Sequence, residues 1–502
     1  MFLNHSNFKL KKTPVLLAFL IIICYFFFAY HLIRTDYFKL IGLYSCLFIL
    51  FLALVTYQKH NIKFLTFISF LFRTVFLFSI PNLSQDFYRF IWDGRMLLEG
   101  WNPYLSTPEF FISKGEFPIA QAKELYEGMG TLNGSHYTNY PPLNQLCFVL
   151  ANLIPGNGIL SSVTGMRLLI IAADFGTLHY GKRLLGKLKL PIHNIFLYIL
   201  NPFIIIELTG NLHFEGVMIF FLVWSLCLLH SGKWRSAAVV FACSVSIKLI
   251  PLMFLPLFYK WFVKSEKPIA LPYGDNDKGP IKESETKQSY SLKQIPSSIR
   301  IAIRALRNEK RIHAKAGMTK LIGFFAIIAI ITILLFAPYY SSQFINNYTR
   351  TIGLWFQNFE FNASLYYVAR DIGYLFRGYN EIATIGKYIP FVVILFVLII
   401  TLFRNNKSLP QLITSMLFVL SFYFFTATTV HPWYIATLLI LSIFTNYKFP
   451  MVWSFVIILS YLAYANIINT ENLLIIGLEY LVVYGVLIWE LLFKNMSIKK
   501  AT

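Results

Sequence analysis

"PVLLAFLIIICYFFFAYHLI", residues 14–33, holds twenty residues with no Asp, Glu, Lys or Arg among them. As a helix rising 1.5 Å per residue it matches the roughly 30 Å hydrocarbon layer of a bilayer. Inside lipid the backbone must satisfy its own hydrogen bonds, so an isolated run of this kind is a helix. It follows "KLKK" (9–12), has no small-residue cleavage site and is succeeded by further apolar runs. It therefore reads as a retained span rather than a signal peptide.

Runs of the same kind recur to the other end of the chain, at about 38–57, 62–80, 163–181, 192–210, 214–231, 235–250, 251–263, 319–337, 387–404, 409–428, 432–446, 449–467 and 472–493. The whole 502-residue chain is 57% hydrophobic and 13% charged, where soluble domains carry about 25% charged residues. The expected fold is an all-α polytopic membrane protein, a helical bundle of about 13–14 transmembrane helices with interfacial helices in the outer loops. Residues 143–154 are too short to cross and read as re-entrant or interfacial. The pair 235–250 and 251–263 breaks at Pro251, beside Lys248, and such breaks persist only where protein or a wet cavity surrounds the backbone. The five cysteines lie singly in apolar runs and indicate neither a disulfide framework nor a metal site.

The net charge of +21 is distributed by side rather than gathered into a nucleic-acid motif. Segments that alternation places on one side carry 29 Lys and Arg, and the two long segments on the other, 81–140 and 338–386, carry 7. The positive-inside rule puts both termini and the basic segment 264–318 in the cytoplasm, with 81–140 and 338–386 outside. The division expected is two N-terminal helices (1–61), a core with a large first outer loop (62–263), a basic cytoplasmic loop (264–318) and a C-terminal membrane part (319–502). The loop begins with Pro, Gly and alternating charge, as a flexible linker would, and ends in a basic surface helix, "SSIRIAIRALRNEKRIHAK". Membrane lipids are expected partners, and nucleic acid is not.

The first outer loop opens with "SQDFYRFIWDGRMLLEGWNPY" (84–104). Asn82 or Ser84 can cap a helix with Asp86 in its first turn, ended by Gly100 and Pro103. Phe87, Ile91, Gly94 and Leu98 share one face, and Asp86, Arg89 and Asp93 another, the pattern of a helix lying along the outer surface. A solvated face with Asp–Arg pairs is the plainer reading. Other polar groups fall on the same side: Tyr140 in "HYTNYPP", His213 and Glu215 in "GNLHFEG", Asn362 in "FEFNASLYY", and His431 and Tyr434 in "HPWY". Taken singly, these could be caps or interface-belt aromatics. Lys248 differs, because an ionisable group within a span is a functional candidate by default. A carboxylate can take a proton from a hydroxyl, and cations can hold a phosphate and stabilise charge on a leaving group. That set suits glycosyl transfer from a lipid phosphate.

"DFYRFIWDGRMLLEGWNPY" followed by "YTNYPPLNQL" resembles the first outer loop and next membrane segment of GT-C glycosyltransferases. The nearest likeness is to polyprenol-phosphate-mannose-dependent α-mannosyltransferases, including the first mannosyltransferase of GPI-anchor assembly. It continues in order through "NPFIIIELTGNLHFEG", "SIKLIPLMFLPL", "FEFNASLYYVAR" and "HPWY", over about 81–445. The resemblance implies a GT-C helical bundle and inverting transfer of a sugar, usually mannose, from a polyprenyl-phosphate donor to a glycan or glycolipid acceptor. The reaction would run at the outer face of a bacterial-type inner membrane. Asp86 matches the position of the family's proposed base. Lys248, His431 and Arg89 are candidates for the donor phosphate, and Asp93, Tyr140, His213, Glu215, Asn362 and Tyr434 for the remaining site. Some members carry Asp-x-Asp at the base, but Ser84 stands two before Asp86, so neither a metal nor another cofactor is expected. The two N-terminal helices and the 264–318 segment fall outside the likeness. The rival readings are a lipid or solute transporter or flippase and a lipid-linked glycan ligase or polymerase. Long outer loops and the lack of an inverted repeat weigh against the transporter.

Overall fold

The computed structural model describes residues 12–156, 158–263, 297–466 and 470–500. The expected linker at the start of the 264–318 segment lies outside the described residues. Within them the chain is helical, with no β-strand and one isolated parallel bridge between Phe361 and Thr429.

Seven helices are long and apolar enough to cross a membrane: Lys12–His31, Tyr37–Gln58, Ile159–Lys187, Ala314–Tyr339, Ile382–Phe403, Leu409–Thr426 and Leu473–Phe493. Ile192–Ile199 and Pro202–Gly210, bent by 49° at their junction, make an eighth if they form one span. The polytopic helical class holds, and among the described residues seven or eight helices pass by length, where about 13–14 spans were expected. Most of the other expected spans are shorter apolar helices: Glu215–His230, Trp234–Ile247, Ile250–Val263, Pro432–Ser442 and Phe449–Ala465. Their shortness has a packing reason. Glu215–His230 and Trp234–Ile247 pack on each other and are flanked by Ile159–Lys187 and the helix Ser297–Phe336. A helix walled by protein can stop short, because its end groups find partners there rather than lipid. By contrast, Phe391, Ile394 and Leu402, like Ile330, Ile333 and Leu334, expose large apolar side chains, as a lipid-facing surface requires.

Ser297–Phe336 corrects one expectation. The basic helix and the following span are one continuous 40-residue helix rather than two elements. Residues 143–154 form only a short helix. Pro142–Asn152 is an 11-residue helix with Leu146 and Leu150 exposed and Asn144, Gln145 and Phe148 buried.

The helix Asp86–Leu98 is not a surface helix. Phe87 and Arg89 to Met96 are all buried, because Ala122–Gly134 and Pro142–Asn152 pack against it from different sides. Gly94 permits the closest approach, since a Cβ there would lie 2.6 Å from the Phe148 carbonyl oxygen. The Phe90 and Phe148 rings stack at 4.7 Å. Gln85, without a side-chain cap bond, is its N-cap residue, and Ser84 Oγ accepts the Asp86 N–H at 3.3 Å. Asn82 is used elsewhere, donating to Phe28 O at 2.7 Å and Leu32 O at 3.0 Å, the bare carbonyls at the end of the first helix.

Two buried arginines fix the approach to this loop. Arg167 donates to Leu77 O and Ser79 O, where the helix Ile62–Thr74 has ended, and to Thr209 O and Gly210 O at the end of a π-helical turn. Arg73 pairs with Asp174 at 2.7 Å, both fully buried. The turns that charge placed outside converge at one end of the bundle around a common cavity. At turns assigned to the other side, Lys187 donates to Ser231 and Lys260 to Arg404 O.

In a background lacking the five native cysteines, a membrane-impermeant thiol reagent applied outside intact cells should label Lys123→Cys and leave Lys233→Cys untouched. Both positions are exposed, and the loop charge assigns them to opposite sides. The reverse pattern would invert the topology.

Candidate functional site: a charged cavity at one end of the bundle

The cavity measures about 910 Å³. Six of the ten candidate residues line it: Asp86, Tyr140, Glu215, Lys248, His431 and Tyr434. Each is delivered by a helix end or a break. Asp86 is the first residue of its helix, Glu215 the first of Glu215–His230, and Lys248 the residue at which Trp234–Ile247 ends in extended backbone. His431 precedes the turn Pro432–Tyr434. Helix ends leave unpaired backbone groups and point side chains outward, so charge can gather here without interrupting a lipid-facing helix.

Lys248 Nζ lies 3.1 Å from Glu215 Oε1 and 5.0 Å from the centre of the Tyr140 ring. Glu215 is 4% exposed, and its other oxygen, Oε2, has no hydrogen-bond partner among the described residues. Asp86 is half-buried and receives a long contact from Asn133 Nδ2 at 3.4 Å. Burial raises the Asp86 pKa above the ordinary carboxylate value, against the lowering effects of Lys248 and the Asn133 contact. His431 is stacked between Phe361 (5.1 Å) and Trp433 (4.5 Å), and Trp433 stacks in turn on His213 (3.7 Å). Burial and the nearby Lys248 charge hold His431 down at about 3, so it is neutral at physiological pH, with an unpartnered Nδ1. Neutral, it can offer a hydrogen bond but no charge.

The other four candidates stand behind the wall. Arg89 pairs with Asp93 at 2.8 Å and donates to Asn133 O and His136 O, while Gln145 donates to Asp93 at 3.1 Å. This buried network holds the chain that carries Asn133 against the helix Asp86–Leu98. His213 serves as the far plate of the aromatic stack. Asn362, at φ +46°, donates its backbone N–H to Glu471 at 2.6 Å and its side-chain amide to Glu479 at 3.1 Å. Its loop is stitched to the "HPWY" segment by Phe361 N–H to Thr428 O and Val430 N–H to Phe361 O.

Four charged lining residues were not singled out in the sequence: Arg34, Glu360, Arg370 and Glu471. Arg370 pairs with Glu360 at 2.6 Å, and Tyr367 donates to Glu471. Burial would raise Glu360, but hydrogen bonds from Asn380, Tyr366 and Arg370 outweigh it and hold the acid below its ordinary value. Glu360 and Arg370 lie within "FEFNASLYYVAR", and Arg34 and Glu471 in short turns assigned to the outer side. That shared side was the available signal. Among the described residues no three His, Cys, Asp or Glu side chains gather as metal ligands.

Residues 32–264 match the family model described as Alpha-(1->6)-mannopyranosyltransferase, N-terminal domain. Over 193 residues the chain is 23% identical to Alpha-(1->6)-mannopyranosyltransferase A of Corynebacterium glutamicum, covering 37% of this chain and 36% of that protein. It is 22% identical over 193 residues to the protein of the same description from Mycobacterium tuberculosis, covering 37% and 34%. The chain thus spans about a third of the length of these curated relatives. The resemblance to α-mannosyltransferases stands, and the matched region starts at residue 32. It includes the second N-terminal helix, which the motif likeness alone had left out as an accessory addition.

Asp93→Asn removes one partner of a buried ion pair and should cost about 3–5 kcal/mol of stability, seen as a clear fall in the unfolding temperature. Asp86→Asn removes a poorly solvated carboxylate without an ion-pair partner within 4 Å among the described residues, and should leave that temperature nearly unchanged. Equal losses would mean that both acids are structural.

Proposed function

We propose that the chain is an inverting membrane glycosyltransferase that moves a sugar, mannose by likeness to its relatives, from a polyprenyl phosphate to a hydroxyl of a glycan or glycolipid. The reaction takes place in the 910 Å³ cavity, facing the extracytoplasmic side, a reading that the charge asymmetry of the loops supports. The observation that carries this reading is Asp86 and the Lys248–Glu215 pair lining one cavity at one end of the bundle. The acceptor hydroxyl gives its proton to Asp86 as its oxygen attacks the anomeric carbon. The bond from that carbon to the phosphate oxygen breaks, the electron pair leaves with the phosphate, and the sugar inverts in one step. Lys248 meets the charge that develops on the phosphate, where sparse water makes a fixed cation more effective than in bulk solvent. Neutral His431 supplies a hydrogen bond. Glu215 positions Lys248 in the resting site at 3.1 Å, and Oε2 remains free to accept a sugar hydroxyl. Glycosyl transfer also accounts for a base beside the cation, which a transporter would not require.

Purified protein given a synthetic polyprenyl-phosphate mannose and a panel of glycan acceptors should yield mannosylated product by mass spectrometry. Transfer from a nucleotide sugar instead would overturn the reading.

Asp86→Asn should lower turnover by roughly 10²–10⁴ with donor affinity largely kept. Lys248→Met should cost about 2–4 kcal/mol in transition-state stabilisation, and His431→Ala less. Unchanged kinetics in a stable Lys248→Met protein would remove it from the mechanism.

The pH profile follows from the raised Asp86 pKa. A base works when ionised, so activity should fall as pH drops through a value above the ordinary carboxylate range. An acid limb at or below that range would show that another group is the base.

A further inference from the structure

The turn between the two N-terminal helices, residues 32–36, reaches the same cavity, and Arg34 lines it beside Leu83 and Asp86. We propose that Arg34 is the second cation of the phosphate site, so that the lipid phosphate is held between Arg34 and Lys248. This inference rests on the glycosyltransferase reading above and extends it to a part of the chain whose role the motif likeness left open.

The placement of Arg34 is built. Asn82 ties the end of the first helix to the start of the outer loop through Phe28 O and Leu32 O, and Tyr30 Oη donates to Val75 O at 3.1 Å. The guanidinium lies 4.3 Å from the centre of the Tyr464 ring and donates from Nη1 to Leu83 O at 3.4 Å. Tyr464 packs on Phe361, and Phe361 on His431, so Arg34 extends the aromatic wall that ends in Trp433 and His213. The side chain is therefore fixed at the wall rather than free in solvent.

Its charge is not spent. Lys248 has Glu215 at 3.1 Å, whereas among the described residues no carboxylate lies within 4 Å of Arg34. Of its five N–H donors, one has a partner, and that bond is long. A fixed guanidinium with free donors facing a cavity suits a phosphate, which it can bind through two parallel hydrogen bonds. The chemistry asks for such a group. The leaving phosphate monoester gains charge, Lys248 is already partly neutralised, and neutral His431 contributes none.

The test is binding rather than turnover. Farnesyl phosphate, farnesol and inorganic phosphate are titrated into detergent-purified full-length wild-type, Arg34→Gln and Arg34→Lys proteins. Arg34→Gln should weaken farnesyl phosphate roughly tenfold or more and leave farnesol unchanged, and Arg34→Lys should recover part of the loss. Should Arg34→Gln fail to insert, Arg34→Met keeps the packing on Tyr464 and should show the same loss. Farnesyl phosphate affinity within twofold of wild type in the charge-removing variant would overturn the role of Arg34 alone. Inorganic phosphate binding as tightly as farnesyl phosphate would reassign the site to free phosphate. Sugar transfer from a donor without a lipid phosphate, by a wild-type protein that binds no farnesyl phosphate, would overturn the glycosyltransferase reading and this inference with it.

Discussion

A lysine held 3.1 Å from a glutamate at one end of a helical bundle is the constraint around which this structure is arranged. An ionic pair among membrane-type helices is costly unless protein and a wet cavity surround it. The surrounding architecture supplies both. Trp234–Ile247 stops at Lys248, Glu215 starts its helix, and a π-helical turn and a 3-10 stretch interrupt the neighbouring segments. Arg167 takes up the carbonyls left bare by the π-helical turn and by the end of Ile62–Thr74. The breaks make spans that are individually too short for a bilayer, and the long outer helices of the bundle provide the apolar wall.

The same economy explains why the first outer loop is buried rather than laid on the surface. Asp86 must reach the cavity from a fixed direction, and a helix floating at the interface would not hold it. Gly94 lets the helix Pro142–Asn152 close on it, the Arg89–Asp93 pair locks the following chain against it, and Asn82 bolts its start to the N-terminal hairpin. The second outer loop is fixed in parallel fashion, by the Phe361–Thr429 bridge and by the Glu471 and Glu479 bonds to Asn362.

Much of this was legible in the sequence. The helical membrane class followed from runs such as 14–33, and Asp86, Glu215 and Lys248 stood out because charge amid apolar sequence is conspicuous. Arg89 and Asp93 misled for a physical reason. An acid and a base four apart on a helix look alike whether water or protein covers them, and the covering helix comes from residues 142–152. Asn362 and His213 sit beside the cavity rather than in it, a distinction of a few ångströms that spacing does not encode. Arg34 and Glu471 occupy turns of a few residues between spans, where a single charge is ordinary. Their meaning depends on which turns meet, and that is decided by packing across the bundle.

The most direct measurement of the central claim is a cryo-electron microscopy structure of the protein with a polyprenyl phosphate bound. The account predicts phosphate density beside Lys248 and within reach of Arg34, with Asp86 facing the position from which the acceptor hydroxyl attacks. Phosphate density outside this cavity, with Lys248 and Glu215 still paired and untouched, would contradict it.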